Sequence, residues 1–146
     1  MSTDLAVDDY QRLLAFRDRL RQFLYWSEQQ ALDAGITPAQ HQLLLAVRGH
    51  ADGPPTISEV AGHLLLRHHS VVGLIDRAEK AGLVVRKADK DSQRNVRVHL
   101  TAKGARRLAK LAGAHIDELQ RVGPDLLPTW STARRRPGGG RAKTGA

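Results

Sequence analysis

Residues 56–100 read TISEVAGHLLLRHHSVVGLIDRAEKAGLVVRKADKDSQRNVRVHL, and two changes of rhythm inside them decide the architecture. Thr56-Ile57-Ser58-Glu59 has the form of a capping box, an oxygen-bearing N-cap with an acid three residues on. The helix it opens carries Val60, Ala61 and Leu64, and closes at Leu64-Leu65-Leu66 without a glycine. A second helix follows from about His68 to Ala81. Val71, Leu74, Ile75 and Ala78 form its apolar stripe, and Gly82 ends it. After Gly82 the period drops from 3.6 to 2. Leu83–Lys87 is strand-like, and Val96, Val98 and Leu100 alternate with Arg97 and His99. The polar stretch Ala88–Asn95 between them suits a hairpin tip. Two short helices joined by a tight turn, then a basic hairpin, make a helix-turn-helix with a wing.

Working outward, Thr37-Pro38-Ala39-Gln40 repeats the capping signal with proline at the first helical position. Leu43, Leu44, Ala46 and Val47 follow, Gly49 is the expected stop, and His50–Pro55 reads as a loop. Further upstream, about Asp8 to Ala34 reads as one long helix. Leu13, Phe16, Leu20 and Phe23 lie along a single stripe, widened by Leu24 and Ala31, with Arg12, Arg17, Arg19 and Arg21 on the other faces. Gly35 suits a left-handed cap. So narrow a seam requires the rest of the domain or a second subunit to cover it. Downstream, Thr101 caps a helix bearing Leu108, Leu111, Ala112, His115, Ile116 and Leu119. From Gly123 the pattern decays, and Pro124 and Pro128 are expected to limit any last helix to a turn or two.

The expected class is mainly α with a small β-hairpin wing (α+β). Its parts are an N-terminal dimerisation helix (8–36), a winged helix-turn-helix lobe (37–100), C-terminal dimerisation helices (101–128) and a disordered basic tail (129–146).

At 146 residues the chain suits one domain with an aliphatic core, since apolar residues make up 41% and aromatics only 4%. The absence of cysteine removes disulfides, thiolate metal sites and thiol catalysis. No apolar run approaches a membrane span, and the acidic N-terminus does not resemble a signal peptide. A cytoplasmic location is therefore expected. The net charge of +8 is unevenly placed: residues 1–83 hold eight Lys/Arg and ten Asp/Glu, residues 84–146 fifteen and five. The second half is thus the half that faces a polyanion.

DNA contact gives each part a role. A helix fits the major groove of B-DNA and its outward residues reach base edges. Here those residues are Arg67, His68, His69, Ser70 and Val72, with Arg77 further along and Gly73 allowing close backbone approach. Arg, His and Ser donate to bases or phosphates, and Val72 suits a thymine methyl. On the hairpin, Arg86, Lys87, Lys90, Arg94 and Arg97 suit phosphates or a narrow minor groove.

At this point the sequence resembles the MarR family of bacterial winged-helix regulators. The pattern is Thr56, Glu59, Ala61, Leu64 and Leu66, then Ser70, Ile75, Asp76, Arg77, Gly82-Leu83-Val84, Arg86, Arg94, Leu100-Thr101 and Gly104. With the flanking helices it extends over about Asp8 to Leu127. The resemblance implies a homodimer that binds a pseudo-palindromic operator, usually as a repressor. It implies that the first and last helices intertwine, that His68–Ala81 is the recognition helix, and that Arg94 is the wing arginine. It also implies release of DNA when a small phenolic or anionic effector fills a pocket below the DNA-binding lobe. Three departures stand out: Ser92 where the family often has Asp, with Asp91 adjacent; Val72 where Ser or Thr is common; and Pro128, where the final helix usually continues.

Other readings compete with these. Tyr25, Trp26 and His41 are candidates to line the effector pocket, and core or interface is the plainer role for Trp26. His63, His68, His69 and the distant His115 suggest a metal site, but they straddle a turn and do not promise the three or four convergent ligands zinc needs, so no metal or cofactor is expected. Asp76 is better placed to orient Arg77 or pair with a wing cation than to catalyse. No nucleophile–base pair or phosphate-binding loop is evident, since Gly138–Gly140 lacks a flanking strand or helix; an enzyme is not expected. The alternative to a DNA-binding regulator is a winged-helix module used for protein interaction.

Overall fold

The computed structural model describes residues 5–126, apart from the side chains at 92–94 and 126. Five helices and one hairpin follow in the order α1 (Val7–Asp33), α2 (Pro38–Gly49), α3 (Ile57–Leu64), α4 (His68–Lys80), β1 (Val84–Asp89), β2 (Ser92–Leu100) and α5 (Ala102–Leu126).

The local signals act as the chemistry dictates. Thr37 and Thr56 each accept the backbone N–H three residues on, while the Gln40 and Glu59 side chains return to the cap backbone. Gly35 and Gly82 take positive φ after α1 and α4. The turn between α3 and α4 contains no glycine, so Leu65 itself adopts the left-handed conformation at φ 53°. Its amide donates to the Ala61 carbonyl. For a residue with a Cβ, that backbone costs roughly 1–2 kcal/mol.

The core lies under the helix-turn-helix. Leu43, Leu44 and Val47 of α2, Val60 of α3, and Val71, Leu74, Ile75 and Ala78 of α4 meet Leu83, Val84 and Val98 of the hairpin and Leu108 and Leu111 of α5. α5 lies hard against the start of the hairpin. A Cβ built on Gly104 would stand 2.1 Å from the Leu83 carbonyl oxygen. Thr101 fixes this approach: its hydroxyl donates to the Gly82 carbonyl at 2.6 Å and accepts the Gly104 amide at 3.0 Å.

Two expectations are corrected. The hairpin tip is shorter than the polar stretch 88–95 suggests. β1 runs to Asp89, β2 starts at Ser92, and only Lys90 and Asp91 form the turn. Ala88 pairs with Val96 and Asp89 with Ser92, so the extra residues 93–95 bulge on β2. Strand hydrogen bonds continued past the point where alternation of polarity stopped. Second, α5 does not break at Gly123. It passes through Pro124 to Leu126, because a proline in a last turn forfeits one amide bond while the preceding turns hold. Pro128 and the tail 129–146 lie outside the described residues.

α1 buries only Ala31 within the chain. Leu13, Leu14 and Leu24 of α1, and Ile116 and Leu119 of α5, are exposed. No described helix is long and apolar enough to cross a membrane.

Candidate nucleic-acid interface

α4 turns its buried stripe inward and its polar residues outward. Arg67, the N-cap, and His68, His69 and Ser70 are all exposed. No side chain caps the helix start, and its first turn holds no acid. Its positive dipole end and unsatisfied amides are therefore open to an anion. Val72 and Gly73 are half-buried and Arg77 is exposed. The Arg77 guanidinium lies over Gly73, 3.3 Å from where a Cβ would sit. The space that sequence reasoning reserves for a close backbone approach is thus filled by Arg77.

Arg86 differs most from its expected place. It is half-buried, with one guanidinium nitrogen donating to Glu79 Oε1 at 2.8 Å and the other to Asp76 Oδ1 at 2.7 Å and, at 3.4 Å, to the Val72 carbonyl. Burial works against its charge, but the two carboxylates more than offset this and hold its pKa above the ordinary arginine value. Its hydrogen-bonding fork is committed to α4, so the geometry makes it a clamp between wing and helix. Asp76 does pair with a wing cation, as the sequence suggested.

Arg97 makes a second clamp. It donates to Asp89 Oδ2 and to the Pro54 carbonyl, each at 3.0 Å, and lies 4.0 Å from Glu59. The Val98 amide donates to the Pro55 carbonyl at 2.9 Å, and Thr56 bridges to Arg97. The loop before α3 therefore joins the wing. Lys87, Lys90 and Asp91 remain exposed near the tip. Arg94 sits on β2 within the bulge; its side chain, like that of Ser92, lies outside the described set.

A second cluster lies where α1, α2 and α5 meet. Trp26 and His41 do come together, through a residue assigned no role there from sequence. The His115 ring centre lies 4.9 Å from Trp26 and 4.8 Å from His41. His115 Nδ1 faces the Leu111 carbonyl at 2.7 Å and so carries the proton. Its Nε2 lies 2.6 Å from Ser27 Oγ and accepts from it when the ring is neutral. His41 is 7% exposed. Burial, and then the neighbouring His115, push its pKa below the ordinary histidine value. Beside Trp26, a cavity of about 400 Å³ opens between α1 and α5, lined by Phe23, Trp26 and Val122 and by two residues of each charge, Arg19 and Arg121 with Glu118 and Asp125; Arg121 is paired with Glu118. Tyr25 is exposed instead. The spacing of His115 from Trp26 in sequence offers no signal; only its place on the apolar face of α5 hints at it.

His63 pairs with His50, Nε2 to Nδ1 at 2.9 Å, and the far nitrogen of His50 meets Glu59. Among the described residues no three His, Asp or Glu side chains converge as metal ligands.

The model of the MarR family matches residues 34–94. The uncharacterized HTH-type transcriptional regulator YkoM of Bacillus subtilis is 30% identical over 116 residues, spanning 77% of this chain and 74% of its own. The crystal structure of AbsC, a MarR family transcriptional regulator from Streptomyces coelicolor, superposes with a TM-score of 0.71 at 21% identity, over 86% of this chain and 85% of that one. A mutant of Staphylococcus aureus MepR bound to an oligodeoxyribonucleotide superposes with a TM-score of 0.62 at 18% identity, over 85% and 86%.

Proposed function

The chain belongs to the MarR family of helix-turn-helix transcriptional regulators, which bind DNA, and on that premise we propose that it works as a homodimeric repressor of a pseudo-palindromic operator. The observation that carries the reading is the uncapped, acid-free and fully exposed start of α4 from Arg67 to Ser70. Placed in the major groove, that turn offers Arg67, His68, His69 and Ser70 to base edges and phosphates, with Val72 and Arg77 behind it. Lys87, Lys90 and Arg94 of the wing follow the backbone into the adjacent minor groove. MepR, a similar fold, has been captured on an oligodeoxyribonucleotide, which supports DNA as the ligand.

Dimerisation is supported by the uncovered apolar positions of α1 and α5. A two-fold dimer presents two α4 helices to successive major grooves, about 34–36 Å apart. A small phenolic or anionic effector acts at the junction of α1, α2 and α5. Phe23 and Trp26 supply an apolar lining, Arg19 a cation beside the Arg121–Glu118 ion pair and Asp125, and His41 with His115 couples that junction to α2.

Selection of bound duplexes from a random pool tests the reading. The expected product is a two-fold symmetric site whose affinity falls steeply with salt as phosphate contacts release counterions. Failure to enrich any salt-sensitive sequence would favour the protein-interaction module instead.

A further inference from the structure

Leu65 is the single non-glycine residue with positive φ among the described residues, at 53°. It is also 91% exposed, the most exposed of the large apolar side chains described. The two facts conflict unless the side chain has work outside the free protein. A glycine or asparagine fits the left-handed turn with less strain, and a leucine so exposed gains little packing in return. Its backbone task, donating the amide to the Ala61 carbonyl, needs no side chain at all. Strain kept at a position without local benefit points to function.

The neighbourhood says what the function meets. From Leu65 to Ser70 every residue is exposed, and the run Leu65-Leu66-Arg67-His68-His69-Ser70 contains no acid. Leu65 thus immediately precedes, in one exposed run of chain, the start of α4 that the proposed function places in the major groove, and the present inference rests on that reading. The apolar group that B-DNA displays there is the C5-methyl of thymine.

We infer that Leu65 is a specificity-determining residue that packs against a thymine methyl at the edge of the α4 footprint. It adds sequence preference without adding charge, at a point where Arg67 and the histidines supply the attraction.

The test uses the full chain and the operator recovered from the random pool. Leu65→Gly and Leu65→Asn both suit a left-handed turn, so both are expected to fold with Tm unchanged or raised. Each is expected to lose operator affinity on the order of tenfold, the scale for losing burial of a leucine side chain. The slope of affinity against salt should stay at the wild-type value, because no phosphate contact is removed. Leu65→Met, still apolar, should retain most of the affinity. Replacing operator thymines one at a time by deoxyuridine should find a position that weakens the wild type but not Leu65→Gly. Folded Gly and Asn variants that bind as tightly as wild type would overturn the inference, as would a loss insensitive to every deoxyuridine replacement. A wild-type protein that enriches no DNA would sink the regulator reading itself, an outcome distinct from either of these.

Discussion

Arg86 shows how a single residue changes meaning when the chain folds. As a cation on a basic ribbon it reads as a phosphate contact; folded, its guanidinium is held by Glu79 and Asp76. Charge-assisted hydrogen bonds of this kind contribute about 1.5–3 kcal/mol each when sheltered and less when partly wet. Arg86→Gln should therefore lower the denaturant-derived stability by about 1–3 kcal/mol. It should leave the salt slope of DNA binding near wild type. Lys90→Ala should do the reverse, with stability kept and the slope reduced by about one. A salt slope that falls with Arg86→Gln would restore it as a phosphate contact. His41 makes a different prediction. Its pKa is lowered in the folded chain, by burial and then by His115. The unfolded chain therefore binds more protons once pH drops below the free histidine value of about 6.5. His41's contribution is complete above that pH and is lost as pH falls from about 6.5 toward its lower folded value. Urea midpoints between about pH 8 and about pH 5.5 should decline, and His41→Gln should flatten that decline.

At the scale of elements, the chain announced most of its own boundaries. Capping boxes at Thr37 and Thr56 and glycines at 35 and 82 are local chemistry, and local chemistry can be read without neighbours. The buried stripe of α4 was legible for the same reason. What stayed hidden depended on partners distant in sequence. The string offers Asp76 as a partner for a wing cation, but nothing in it says that the cation is Arg86 or that Glu79 would share it, that Arg77 would cover Gly73, or that His115 would sit between Trp26 and His41. The extra length of both strands and of α5 was hidden too, because backbone hydrogen bonds leave no mark on polarity patterns. Gly104 belongs to this class. In sequence it is one glycine early in a helix; in the fold it is the contact point between α5 and Leu83, where a Cβ meets a backbone oxygen at 2.1 Å. A backbone atom cannot step aside as a side-chain tip can. Gly104→Ala is expected to cost about 1–3 kcal/mol or more despite the better helix propensity of alanine. A thermal melt checks it, and an unchanged or raised Tm would show that the helix can slide away.

For the molecule as a whole, the reading head is well packed and the long helices are not. Ala31 is the single buried residue of α1, while Leu13, Leu14, Ile116 and Leu119 meet solvent. So much uncovered apolar surface is what an obligate partner conceals. Sedimentation should give a dimer. Ile116→Asp should shift it toward monomer and weaken binding to a symmetric operator much more than to a single half-site. A variant that stays dimeric would place the interface elsewhere on α1 and α5.

The clamps made by Arg86 and Arg97 bear on how such a dimer responds to a signal. One ties the wing to α4; the other ties it to the loop before α3, while Thr101 and Arg107 fasten α5 to Gly82 and to the Ala34 carbonyl. Joints so thoroughly braced do not bend in the middle. In the proposed dimer, a change of angle between α1 and α5 would then be passed on to each head as a unit, like a boom about its mast. The quantity under regulation would be the span between two otherwise unaltered heads, set against the fixed pitch of the double helix.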